Sequence, residues 1–301
     1  MRIASMQFQA TMNRSLSLNQ GTLAELTEKM ATGNKLLLPS DDPITNVRLS
    51  RLTREEAILN QYVDNIAAVK VRLSKNETYL DGMVGDINAA RDLLVWSSDG
   101  GNTPADLNSM VNSLSALRDS VFYNTNTRDQ EGKYIFSGTL TGSPAVADTG
   151  PAGARYSYVG NNGQQKVVVG NGITQVANVD VQGIETWLNQ IDNAITALGA
   201  PGADPNNPAT RVILTTALDG SDTALGLVSQ KIATFGGAQN VMETLSNNHG
   251  NVSLSNKVAI TEMSQLDYGI AATELNGYNN ALQATYQAYS KIANLSLFNA
   301  L

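Results

Sequence analysis

Apolar residues recur along this chain in steps of three and four, the spacing that lays a stripe down one face of an α-helix. In the first segment Met12, Leu16, Leu23, Leu26 and Met30 fall on that stepping, with the polar Asn19 in the remaining position. The stripe predicts a helix ending near Thr32-Gly33-Asn34, where a glycine can take the left-handed cap conformation. After Pro39-Ser40-Asp41-Asp42-Pro43 a longer stripe begins. Leu49, Leu52, Leu59, Val63, Ile66, Leu73, Leu80, Val84, Ile87 and Leu94 share one stepping, with Glu56, Lys70, Glu77 and Arg91 in the omitted places. A helix of roughly 50 residues is about 75 Å long, the length of a rod and not of a globule's helix.

Asn102-Thr103-Pro104 restarts a helix with a hydroxyl cap and a proline in its first turn, and Leu107, Met110, Leu114, Leu117 and Val121 give its stripe. At Lys133-Tyr134-Ile135-Phe136-Ser137-Gly138 the period becomes that of a strand. From Thr139 to Gly183 the composition shifts to Gly, Val, Asn and Pro, and Tyr156–Val159 and Lys166–Val169 read as strands joined by a hairpin turn at Asn162-Gly163. Helical period returns with Ile184, Leu188, Ile191, Ile195 and Leu198. After a Gly-, Pro- and Asn-rich loop to Pro208 it resumes through Leu214, Leu218, Leu225, Val228, Ile232 and Phe235, with Gly236-Gly237 as a point of bending. The last segment carries Met263, Leu266 and Ile270. It then shifts phase to Leu275, Tyr278, Leu282, Tyr289 and Ile292, and ends in Leu295-Ser296-Leu297-Phe298.

A lone amphipathic helix of this kind is marginal in water, so the two chain ends are expected to pack on each other. The expected fold is mainly α: an elongated antiparallel helical rod formed by both chain ends, with a small inserted β domain at its tip. Residues 1–40 and 260–301 are the terminal helices, disordered in the free monomer. Residues 41–138 and 184–259 make the rod, and 139–183 the exposed β-rich insert.

Composition narrows the chemistry. The 301 residues are 42% hydrophobic but only 16% charged, with a net charge of −7 and no Lys/Arg cluster longer than a pair, so the electrostatic footprint of a nucleic-acid binder is missing. Cysteine is absent, which excludes disulfides and thiolate chemistry, and the single histidine, His249, lies in Asn247-Asn248-His249-Gly250-Asn251. A zinc site or a Ser-His-Asp triad has too little to work with. Asp41 and Asp42 could serve as paired carboxylates, but Asp42 before Pro43 reads better as a helix cap, with both acids at the positive end of the helix dipole. Val167-Val168-Val169-Gly170-Asn171-Gly172 lacks the third glycine of a dinucleotide turn, and a hairpin turn is the better account. No catalytic, metal or cofactor site is expected. No run of about 18 apolar residues suggests a membrane span, and the amino terminus lacks the pattern of a secretory signal peptide.

Two stretches carry a resemblance. Thr32-Gly33-Asn34-Lys35 followed by Pro39-Ser40-Asp41-Asp42-Pro43 resembles the amino-terminal signature of bacterial flagellins and their relatives. Thr273-Glu274-Leu275, Ala281-Leu282-Gln283-Ala284 and Leu295-Ser296-Leu297-Phe298 are similar to the flagellin carboxy-terminal helix. Met1-Arg2-Ile3, Gly132–Gly138 leading into Tyr156-Ser157-Tyr158-Val159-Gly160, and the ending Ser296–Leu301 resemble the hook-associated type 3 branch of that superfamily. The resemblance implies an extracellular structural subunit of the flagellum, exported unfolded through the flagellar type III apparatus without a cleaved signal. It implies a ring of identical subunits between a neighbouring hook-associated junction protein and flagellin, with an export chaperone on the C-terminal helix. The terminal helices would be axial. Their stripe residues Met12, Leu16, Leu23, Leu26, Met30, Leu275, Tyr278, Leu282, Tyr289, Ile292, Leu295, Leu297 and Phe298 are the candidate subunit interface. A short filament flagellin and a cytoplasmic coiled-coil scaffold remain as alternatives.

Overall fold

The computed structural model describes residues 2–151 and 153–297, with the side chains of those between 7 and 291. In chain order the elements are α1 (Arg2–Thr32), α2 (Pro43–Ser97), α3 (Pro104–Thr125), β1 (Val146–Asp148), β2 (Tyr156–Tyr158), β3 (Lys166–Gly170), β4 (Ile173–Val176), α4 (Ile184–Leu198), α5 (Pro208–Ser264) and α6 (Tyr268–Leu297). They fall into two compact units, Met1–Ile58 with Asn251–Leu301 (unit 1) and Leu59–Gly250 (unit 2), so α2 and α5 contribute to both.

Unit 2 holds a continuous apolar core. Leu73, Leu80, Ile87 and Leu94 of α2 meet Leu107, Leu114 and Val121 of α3, Trp187, Leu188 and Ile191 of α4, and Leu214 and Val228 of α5. The anchors of the α2 stripe are those the periodicity predicts, but the steps between them are not. Val69, Asn76, Met83, Ala90 and Ser97 point inward, and not 70, 77, 84 and 91. The displaced polar side chains lie along the seam with α5: Lys70 pairs with Glu243, Glu77 accepts from Gln239, and Arg91 pairs with Asp222. Those partners rise in number as the α2 positions do the reverse, so the two helices run antiparallel. Helix α5 continues through Gly236-Gly237 without a break in its helical pattern.

The strands form two separate antiparallel pairs, β1 with β2 and β3 with β4. The hairpin expected at Asn162-Gly163 is therefore not made. The tight turn is Asn171-Gly172, where Gly172 takes φ +71 between the paired residues Gly170 and Ile173. Asn161 is engaged elsewhere: its Oδ1 accepts from the N–H groups of Thr139 and Gly163, which pulls the chain into a loop instead of a hairpin. Nor is 133–138 a strand. Ile135, Phe136 and Ser137 are all buried in succession, which alternation forbids, and only isolated bridges Arg128↔Tyr134 and Ser137↔Asp180 form.

Helix side chains stitch these short strands down. The Asn126 amide exchanges hydrogen bonds of 2.8 and 3.0 Å with the backbone of Val146, and Asn189 does the same with Tyr156 at 2.8 and 2.9 Å. A bulge at Val169 accompanies two successive outward carbonyls. Val168 O accepts from Asn65 and Val169 O from the His249 ring, each at 2.8 Å. The single histidine is thus a clip between α5 and β3, beside the Tyr62 ring. Val146, Tyr156, Val169, Ala177 and Val181 join the helical core, while Leu140, Val168 and Ile173 face outward. Burial pushes the Tyr158 phenol up to about 12, and it donates to Asn161 O at 3.0 Å.

Candidate assembly surface

In unit 1, α1 and α6 pack side by side. Gln20 Nε2 donates to the Tyr286 hydroxyl and the Tyr268 hydroxyl donates to Met30 O, so the two helices are antiparallel. Their connection to the rest of the unit is a short extended contact: Lys35 N donates to Ser264 O and Leu266 N to Gly33 O, framing the Asn34↔Gln265 bridge. Asp267 then starts α6, its Oδ1 accepting from the N–H groups of Gly269 and Ile270. This break is the physical cause of the phase shift between Ile270 and Leu275. It leaves Ile270 60% exposed and brings Ala271 inward instead.

The predicted interface residues divide into three groups. On α1, Leu26 is buried and Met12, Leu16, Leu23 and Met30 are half-buried on the stripe that also holds Asn19. On α6, Leu282 is buried and Leu275 and Tyr278 half-buried, whereas Tyr289 is 38% exposed. Ile292, Leu295 and Leu297 lie within the α6 backbone but outside the residues whose side chains are described, and Phe298 lies outside the described residues altogether. Where described, the stripes face one another within the chain, which is what two lone amphipathic helices require.

The turn signature is built from carboxylate caps. Asp41 Oδ2 accepts from the N–H groups of Leu37 and Leu38. Asp42 Oδ1 accepts from the N–H groups of Ile44 and Thr45, its Oδ2 accepts from the Thr45 hydroxyl, and Pro43 opens α2. The Thr45 hydroxyl, the backbone donors and the charge of Lys35 hold the Asp42 carboxyl below the usual carboxylate range. Pro39 and Ser40 sit exposed in the turn between the two caps. Each carboxylate is occupied by backbone donors, which is the arrangement of a structural turn and not of an acid/base pair.

What periodicity missed is the apolar surface off the stripes. In unit 1 Leu18, Leu38, Ile44, Val47, Leu254 and Val258 are all at least half-exposed. The signal was in the sequence as apolar residues out of phase with the heptads. Nothing in the spacing says whether such a residue is incidental or a contact. Among the described residues no helix is long and apolar enough to cross a membrane, and no group of His, Asp and Glu is placed to hold a metal ion.

Comparison with known proteins adds an independent line. Residues 3–141 match the bacterial flagellin N-terminal helical region. Flagellar hook-associated protein 3 of Escherichia coli is 27% identical over 315 residues, covering 97% of each chain. The Salmonella typhimurium protein of the same name is 25% identical over 317 residues, covering 99% of each. Among solved structures, a putative flagellar hook-associated protein from Vibrio parahaemolyticus is 29% identical with a TM-score of 0.69, covering 75% of this chain and 100% of that one.

Proposed function

From the premise that this chain belongs to the bacterial flagellin superfamily, as a member similar to hook-associated protein 3, we propose that it is a structural subunit of the flagellum that joins hook to filament. The observation that carries this reading is similarity to two hook-associated proteins along 97% or more of the chain. The function is mechanical and asks no chemical step of the chain: the subunit adapts a flexible hook to a stiffer filament. It works outside the cell, exported through the flagellar type III apparatus without a cleaved signal, with a chaperone escorting the C-terminal helix.

Copies of the chain form a ring between a neighbouring hook-associated junction protein and flagellin. The terminal helices lie at the axis and carry the contacts between copies. Two features support this role for unit 1. Its stripes pair only partly, and it displays apolar side chains such as Leu18, Ile44 and Leu254 that a monomer leaves in water. In the sequence, Ile292, Leu295, Leu297 and Phe298 add further apolar residues to the C-terminal segment.

Deleting residues 292–301 is expected to leave a soluble folded core and to abolish assembly, read as loss of motility in cells that lack the full chain. A truncated chain that restores motility would sink the axial-contact reading. Immunogold labelling places the subunit: gold at the hook end of the filament supports the junction role. Decoration along the whole filament would make the chain a short filament flagellin.

A further inference from the structure

A second candidate site is built from residues of unit 2. We propose that the groove between α2 and the 129–141 loop binds an oxyanion of phosphate or carboxylate type, received by Arg72, Lys75 and the amide of Asn76. The groove encloses about 440 Å³, within the range of about 300–1,000 Å³ that small ligands occupy.

Asn76 is the first reason. It is 2% exposed, it lines the groove, and its Nδ2 has no hydrogen-bond partner among the described residues. A buried amide donor left unmade costs free energy, so a ligand acceptor in the groove would remove a standing penalty. Arg72 is the second. Its Nη2 donates to Gln165 Oε1 at 2.9 Å, and Gln165 is itself fixed by donating through Nε2 to Gly138 O and by its N–H to Asn178 Oδ1. The guanidinium is therefore held in place with most of its N–H donors uncommitted, a planar fork that suits the paired oxygens of an oxyanion. Lys75 is the third. No carboxylate among the described residues pairs with it or with Arg72, whereas Lys70, Arg91, Arg118, Arg155 and Lys231 each have one.

Two acids line the groove as well, and Arg72, Lys75 and Lys133 against Asp129 and Glu131 leave a small excess of positive charge. Asp129 Oδ1 is taken by the N–H groups of Glu131 and Lys133 in its own turn. Glu131 pairs with Lys133 at 2.8 Å, with a side chain 72% exposed at the rim. Glu131 and, less strongly, the Asp129 charge hold the Lys133 proton more tightly, while burial and the Arg72 charge oppose it. In a chain of net charge −7, a groove with an excess of positive charge beside a buried unpaired donor favours an anion.

An oxyanion could come from solvent or from an acidic side chain of another copy of the chain, and one experiment separates them. The full chain, labelled with ¹⁵N, is titrated with inorganic phosphate against sodium chloride at equal ionic strength. The Arg72 Nε–H and Asn76 side-chain signals are expected to shift saturably with phosphate alone. Lys75→Gln, at an exposed position, and Asn76→Leu, which fills the same space without the amide, should each weaken the apparent Kd about tenfold, the loss of one charged or buried hydrogen bond. If raising the protein concentration without phosphate shifts the same signals and phosphate reverses it, the second copy supplies the oxyanion; if only phosphate shifts them, the ligand is a free anion. Equal, unsaturating shifts with chloride would overturn the proposal, as would a phosphate titration unchanged by Lys75→Gln.

Discussion

Unit 2 closes four helical segments and two strand pairs around Trp187, Phe136, Leu73 and Leu114. In unit 1 the buried apolar residues, among those described, are Leu26, Ala271 and Leu282. Both units are built from helices with the same 3-4 stepping, so the difference is not one of pattern. It is one of partners. A helix in unit 2 has neighbours on more than one side, whereas α1 meets α6 along a single seam and leaves its flanks in water. The lesson is that an identical stripe yields a self-sufficient core in one setting and an unfinished one in the other. The unfinished unit is the one we assign to assembly.

The sharpest way to break this comparison is a pair of core truncations. Trp187→Ala removes a wholly buried indole and its 3.0 Å hydrogen bond to Ser221, and should cost unit 2 about 3–5 kcal/mol in chemical denaturation. Leu282→Ala should leave that transition in place. It should instead raise hydrogen exchange only in α1 and α6. If Leu282→Ala moved the main transition as far, the two units would not differ in the way argued.

A buried charge pair sharpens it further. Arg118 Nη1 meets Asp192 at 2.5 Å between α3 and α4, with side chains 10% and 12% exposed, and Arg155 stands 3.7 Å from the same oxygen. Asp192→Asn should destabilise unit 2 by about 1.5–3 kcal/mol, the loss of a charged hydrogen bond, because Arg118 keeps only the more exposed Asp119 while Arg155 keeps Asp148. A urea midpoint that barely moved would show the pair to be effectively solvated.

The smallest effect is on pH. Asp148 on β1 accepts from Arg155 at 2.6 and 2.7 Å, and that hydrogen bond, with the charges of Arg155 and Arg118, holds its carboxyl below the ordinary range against the cost of burial. A folded-state pKa below the unfolded value adds stability that is full above the unfolded value and is lost as pH falls through the folded one. The loss therefore belongs below about pH 4. Asp148→Asn should flatten the fall in the urea midpoint between pH 5 and pH 3; an unchanged slope would mean the pair contributes nothing. With the Asp148 side chain 32% exposed, solvent screening keeps the gain small.

Much of this was legible in the chain. Met12, Leu16, Asn19, Leu23, Leu26 and Met30 are, with Lys29, the less exposed of the described positions of α1, as the stepping predicts, because a helix with one partner needs one stripe and displays it openly. Thr103 caps α3 with both halves of a capping box formed with Asp106, as its place before Pro104 implies. These are local decisions, set by backbone sterics and by hydrogen bonds between residues a few positions apart.

Other features depended on residues far away in sequence. Along α2, anchors seven apart fit a 4-3 or a 3-4 stepping equally well. Contacts with α3, α4 and α5 chose Val69, Asn76, Met83 and Ala90 as the inward set. Asn162-Gly163 has the composition of a hairpin turn, but the side chain of Asn161 ties that stretch to Thr139, and Asn171-Gly172 makes the hairpin instead. The terminal signatures, the helix periods and the caps belong to the sequence alone, since each is written in neighbouring residues. The phase of α2, the strand pairing, the clip made by His249 and the groove around Asn76 were decided only by the tertiary structure. Each is a choice between local options of nearly equal energy, settled by contacts across 20 to 162 residues of chain.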